Sequence, residues 1–213
     1  NQENQITPIN PTPVIGMVGT IKNVDKAICS GWKNINDQIW IIGSNSSEST
    51  IGASSYLDYF HGLVTGRPPK IDLENEKYCQ SFLRNAILKN YILSSHDVSD
   101  GGLAIALSEC CILSSKGANI FLEDNKTRKD NLLFSEGGSR IIFSIFKKEE
   151  LNFSNFVNDN SKYFGQDIYV KKIGVVSKDN LKIMVQDNEL CNLRVDELTE
   201  KFNNSISGNL YYE

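Results

Sequence analysis

The sequence predicts an α/β fold in which helices pack on a mixed sheet, and three observations carry that prediction. Short apolar runs with strand character alternate with runs of helical period, glycine-bearing turns separate them, and no internal repeat interrupts the order. With 213 residues and 40% hydrophobic content, the chain is long enough to bury a core. A formal net charge of −4 supplies no basic field for nucleic-acid phosphates. No apolar stretch approaches the roughly 18 residues of a spanning helix. Neither nucleic acid nor membrane is therefore an expected partner. The cysteines, Cys29, Cys79, Cys110, Cys111 and Cys191, are odd in number and lack a C-x-x-C pair, which suits free thiols in a reducing, cytoplasmic compartment. His61 and His96 are too few for a His-rich metal site or a Cys–His hydrolase.

Residues 1–13 are polar, with Pro8, Pro11 and Pro13, and read as an extended lead-in. Val14-Ile15-Gly16-Met17-Val18-Gly19 is expected to be a strand, and Ile39-Trp40-Ile41-Ile42-Gly43 a second, buried one. A Ser/Asn-rich loop over 44–50 follows, then a short helix at Tyr56-Leu57-Asp58-Tyr59-Phe60. Two strands cannot close a sheet, so residues 1–66 are expected to form part of a domain. Gly66-Arg67-Pro68-Pro69 marks the boundary, because proline lacks an N–H and holds the backbone extended. Residues 67–213 then read as a complete α/β sandwich with a mixed sheet. Helices are expected over 74–91, 103–114, 149–158 and 195–203, and strands over 92–96, 119–122, 140–146, 168–176 and 181–185. The charged run at 123–130 reads as a solvated loop.

Two motifs are candidates for chemistry. In His96-Asp97-Val98-Ser99-Asp100-Gly101-Gly102-Leu103, a strand turns into a helix. Glycines there allow close backbone approach, N–H groups at the helix start attract anions, and Asp97 could hold magnesium bridging to a phosphate. The same residues also suit ordinary capping by Ser99 or Asp100, and Asp100 would repel a phosphate at the helix terminus. In Phe134-Ser135-Glu136-Gly137-Gly138-Ser139-Arg140, Arg140 could pair with a phosphate or with Glu136. Neither motif has the lysine-containing end of a P-loop.

Asn10-Pro11-Thr12-Pro13-Val14-Ile15-Gly16-Met17-Val18-Gly19 resembles a segment in the second half of the formylglycinamidine ribonucleotide synthase family. Ile51-Gly52-Ala53-Ser54-Ser55-Tyr56-Leu57, Gly66-Arg67-Pro68-Pro69-Lys70-Ile71-Asp72-Leu73, the residue 96–104 motif and Leu133-Phe134-Ser135-Glu136 follow in the family's order. The resemblance implies a partial AIR synthetase N-type, barrel-forming domain over 1–66 and a complete C-type domain over 67–213.

It further implies an ATP-dependent ligase of purine biosynthesis. ATP phosphorylates the formamide oxygen of formylglycinamide ribonucleotide, and ammonia from a separate glutaminase displaces phosphate to give the amidine. ATP and Mg2+ serve the whole enzyme. The implied partners are its N-terminal half or a second copy of this chain, the glutaminase subunit and a small accessory subunit. The family's Gly-Gly-Asn-Val-Ser-type loop lies upstream of Asn1, so no catalytic residue carries over, and the chain alone is expected to be inactive. By pseudo-symmetry Asp97, Ser99, Gly101, Gly102, Glu136 and Arg140 would line either an auxiliary nucleotide or phosphate site, with Asp97 as metal ligand and ADP as its candidate occupant, or a degenerate remnant of one. The alternatives are a non-catalytic scaffold or regulatory module of the same fold, or a related ATP-using enzyme resembling aminoimidazole ribonucleotide synthetase.

Overall fold

A computed structural model describes residues 12–43, 50–123, 126–163 and 169–210. The strands are β1 (Gln38–Gly43), β2 (Ile92–Asp97), β3 (Ala118–Leu122), β4 (Ile141–Ile145), β5 (Tyr169–Val176), β6 (Asn180–Val185) and β7 (Asn188–Arg194). The helices are α1 (Ser55–His61), α2 (Leu73–Leu88), α3 (Gly102–Ser114), α4 (Lys129–Phe134), α5 (Glu150–Tyr163) and α6 (Val195–Leu210). The strands form one sheet in the order β2-β4-β1-β5-β3-β6-β7. It is mixed: β3 and β6 run parallel, and the other neighbours are antiparallel.

Burial on both faces explains the composition of β1, in which all six residues are buried. Successive strand side chains point to opposite faces. Ile39 and Ile41 accordingly join the core with Leu103, Leu107 and Cys110 of α3, while Trp40 and Ile42 join the core with Phe82 of α2 and Phe153 of α5. Phe153 is the hub of the second core. Its ring meets those of Trp40, Phe82, Tyr91 and Phe143 edge-on at centroid distances of 5.1 to 6.4 Å, within the favourable range for aromatic pairs. Asp72 starts α2, its carboxylate accepting the N–H groups of Glu74 and Asn75 at 3.0 Å, the usual way of satisfying a helix's first donors.

The structure corrects three expectations. Residues 39–42 do not belong to a separate partial domain: β1 pairs with β4 on one side and β5 on the other, inside the sheet that the later residues build. The boundary expected between 66 and 67 therefore divides one sheet rather than two. Residues 14–19 form no strand, and Val14, Ile15, Met17 and Val18 are each at least 83% exposed. Within the run read as a loop over 123–130, helix α4 begins at Lys129. The expected loop at 44–49 and the lead-in before residue 12 lie outside the described residues. Among the described residues, no helix is long and apolar enough to cross a membrane.

Candidate functional site

Both sequence motifs meet at one end of the sheet. β2 ends at Asp97, where it pairs with Ile141 at the start of β4, and the Val98 N–H donates to the Arg140 carbonyl at 2.9 Å. The turn after β2 and the loop before β4 are thereby held side by side. Beside them lies a cleft of about 510 Å³ lined by Asp97, Ser99, Asp100, Glu136 and Arg140, together with Lys70 and Glu76. Of the six residues expected at a site, Asp97, Ser99, Glu136 and Arg140 line this cleft. Gly101 and Gly102 do not.

The two glycines shape the helix start, and Gly102 also serves packing. Both have positive φ, 75° and 71°. A Cβ on Gly102 would lie 2.7 Å from the Phe134 carbonyl carbon and 2.7 Å from the Ser135 oxygen, so the start of α3 is pressed against the end of α4. The close backbone approach expected here is made, at Gly102, to the backbone of residues 133–135.

The capping reading also changes. Gly101 is the N-cap of α3, and no side chain of the turn caps the helix; Ser99 contributes only its carbonyl, to the Gly102 N–H at 3.1 Å. Glu136 supplies the anion instead. Its Oε1 accepts the Gly101 N–H at 2.7 Å and the Ser55 N–H of α1 at 2.8 Å.

The ion pair considered between Glu136 and Arg140 is therefore absent. The Arg140 side chain donates to the Ser135 and Gly137 carbonyls. It is 4% exposed, and burial holds its guanidinium down at about 10. Among the described residues no carboxylate forms an ion pair with it. Loss of hydration without a counter-charge is the physical cause of that depression. A buried cation satisfied only by carbonyl dipoles still favours an anion.

Asp97 is the candidate metal ligand. Its side chain is 75% exposed and lies 3.6 Å from His96 Nδ1. His96 also faces Glu109 of α3, Nε2 to Oε2 at 3.3 Å, which ties the strand before the turn to the helix after it. Among the described residues, no three His, Cys, Asp or Glu side chains cluster closely enough to cage a metal. These residues fit magnesium in one form, an ion carried in by phosphates with Asp97 as a single protein ligand, the usual habit of Mg2+.

Sequence reasoning missed Lys70 and Glu76, which line the cleft. Lys70 follows the proline pair read as a boundary, so its position invited no functional reading. It also missed Ser55 as a partner of Glu136.

Comparisons with known proteins agree with this architecture. The chain is 79% identical over 207 residues to the phosphoribosylformylglycinamidine synthase subunit PurL of Prochlorococcus marinus subsp. pastoris, an overlap covering 97% of this chain and 27% of that protein. The corresponding subunit from Prochlorococcus marinus strain MIT 9313 is 40% identical over 212 residues, 96% of this chain and again 27% of the relative. The chain thus spans about a quarter of the length of these curated relatives. Among solved structures, Thermotoga maritima PurL complexed with FGAR superposes with a TM-score of 0.66 at 15% identity, covering 83% of this chain and 30% of that one. Escherichia coli HypE, a hydrogenase maturation protein, superposes at 0.52 with 12% identity, over 79% of this chain and 52% of its own. These two likenesses concern the fold. The family model of the AIR synthase related protein, C-terminal domain, matches residues 34–186, a span that starts just before β1 and ends just after β6. The chain belongs to the family of AIR synthase related proteins through this C-terminal domain.

Proposed function

We propose that this chain is the C-terminal part of an ATP-dependent carbon–nitrogen ligase that converts formylglycinamide ribonucleotide to the amidine in purine biosynthesis in the cytoplasm, and that it is inactive without the rest of that enzyme. The observation that carries the reading is the 79% identity, over nearly the whole chain, to a PurL subunit of which it spans 27%. The cleft beside the β2–α3 turn is an auxiliary nucleotide site on this reading, and ADP with Mg2+ is its occupant. Arg140 and Lys70 face the phosphates, Asp97 takes one position on the magnesium, and Ser99 borders the site. Magnesium supplies the charge that lets a polyphosphate sit among Asp97, Asp100, Glu76 and Glu136, which would otherwise repel it. Solved Thermotoga maritima PurL structures complexed with ATP and with ADP support nucleotide as the ligand class.

The partner is the remainder of such an enzyme. Val14, Ile15, Met17 and Val18, with Tyr59 and Phe60 of α1, are exposed apolar side chains, and each forgoes roughly 1.5–3 kcal/mol while left in water. A glutaminase subunit and a small accessory subunit complete the complex. The test is reconstitution. The chain alone is expected to form no amidine from ATP, formylglycinamide ribonucleotide and ammonia, and a separately expressed upstream portion should restore that reaction. Substrate-dependent ATP turnover by the isolated chain would overturn the proposal, and so would assembly into a homodimer that excludes the upstream portion.

A further inference from the structure

We propose that Glu136 is a positioning residue rather than a nucleotide ligand. It latches residues 52–67 against the β2–α3 turn and so holds in place the chain that leads into the cleft lining at Pro69, Lys70 and Ile71; the cleft's role rests on the nucleotide reading above. One carboxylate oxygen takes both the Ser55 N–H at 2.8 Å and the Gly101 N–H at 2.7 Å, joining backbone 46 residues apart through a side chain from a third segment. Both donors belong to helix starts, where backbone N–H groups lack partners within the helix. A carboxylate that accepts them binds more strongly than a neutral acceptor would.

The latch reaches beyond Ser55 because residues 52–67 close on themselves. The Ala53 N–H donates to the Thr65 carbonyl at 2.8 Å. Gly52 and Gly66 are in backbone contact so close that a Cβ on Gly66 would lie 2.8 Å from the Gly52 Cα, and one on Gly52 would lie 2.7 Å from the Arg67 oxygen. Tyr56 stacks on Phe134 with ring centroids 4.8 Å apart, which seats α1 on the end of α4. A loop closed at its neck moves as a unit, so a tie at Ser55 also holds Arg67 at the neck, two residues before Pro69, Lys70 and Ile71, which line the cleft together with Asp97 and Asp100. Glu136 thereby ties the segment that leads into these lining residues to the turn that carries Asp97 and Asp100. The Gly101 N–H is thereby occupied by the protein's own carboxylate.

The test is hydrogen exchange on the intact chain, comparing wild type with Glu136→Ala and Glu136→Gln. In the alanine variant, exchange at Ser55 and Gly101 should rise at least roughly tenfold, the change expected on losing one charge-assisted hydrogen bond. Exchange over residues 141–145 of β4 should stay unchanged. The glutamine variant keeps an acceptor oxygen and should show a smaller rise at the same two sites. Unchanged exchange at Ser55 and Gly101, or an equal rise throughout β4, overturns the proposal. Protection of residues 97–102 by ADP with Mg2+ in the wild-type chain reads the nucleotide assignment separately. Its absence would count against that assignment and leave the latch result standing on its own measurement.

Discussion

Gly102→Ala places a methyl group where backbone already lies. The new Cβ would sit 2.7 Å from the Phe134 carbonyl carbon, 2.7 Å from the Ser135 oxygen and 2.8 Å from the Leu133 oxygen, and none of these atoms can rotate away. Two costs add. Holding alanine at φ 71° costs roughly 1–2 kcal/mol, and overpacking a filled space costs about 1–3 kcal/mol more. Gly101→Ala carries the first cost with a lesser steric one. Its φ is similar, and its Cβ would press on the Ile105 side chain, 2.5 Å from Cγ1 and 3.0 Å from Cβ, a side chain that is 41% exposed and borders solvent rather than packed backbone. Urea unfolding followed by circular dichroism should therefore rank the variants: Gly101→Ala loses about 1–2 kcal/mol and Gly102→Ala roughly 2–5 kcal/mol, with unchanged denaturant slopes. For a chain of this length, each kcal/mol corresponds to about 2–4 °C in melting temperature. Equal midpoints for the two variants would refute the claim that α3 starts in direct contact with the end of α4.

Phe153→Ala removes the hub of the aromatic core on the α2–α5 face and should cost about 3–5 kcal/mol in the same assay; a loss near that of an exposed position would contradict the packing described. Thiol titration at neutral pH should label exposed Cys29 first and half-buried Cys191 more slowly, with Cys79, Cys110 and Cys111 reacting only on unfolding; prompt labelling of all five would contradict their burial. Burial raises Cys79 from 9.0 to about 11 and Cys111 to about 12, and raises Cys110 as well. The unfolded chain therefore loses these protons first, so stability should fall between about pH 9 and 10. That window lies below the point where Arg140, held at about 10, begins to work in the opposite direction. A urea midpoint that rises across it would contradict the assignment.

What the sequence reveals depends on how local each signal is. Helix α3 and strands β2 and β4 are legible because apolar period and flanking turns lie within a few residues of each other. β1 is equally legible as a buried strand, but its allegiance is not, because its partners Ile142 and Val170 lie about a hundred residues or more downstream. Reading it with its chain neighbours at 14–19 assigned it to the wrong unit. β7 escaped notice because an edge strand exposed along much of its length, Asn-Glu-Leu-Cys-Asn-Leu-Arg, carries too little alternation. α4 escaped because six residues give less than two helical turns. At the site, motif residues 97, 99, 136 and 140 were legible as a group. The roles of Glu136 and Arg140 were not: Glu136 bonds a backbone N–H 81 residues away, and Arg140 turns to carbonyls of its own loop. Hydrogen bonds to backbone leave no residue-type signature, so pairing by charge alone suggested an ion pair that does not form.

The central functional claim is that the cleft beside the β2–α3 turn accepts a magnesium-bound nucleotide. Isothermal titration calorimetry of the 213-residue chain with ADP, in the presence and absence of Mg2+, tests it most directly, with Asp97→Ala as the matched variant. Weak binding is expected, on the order of millimolar and thus worth about 4 kcal/mol, strengthening with Mg2+ in the wild type and losing its magnesium dependence in Asp97→Ala. No heat from ADP with Mg2+ at millimolar concentration, or an undiminished magnesium dependence in the variant, would contradict it.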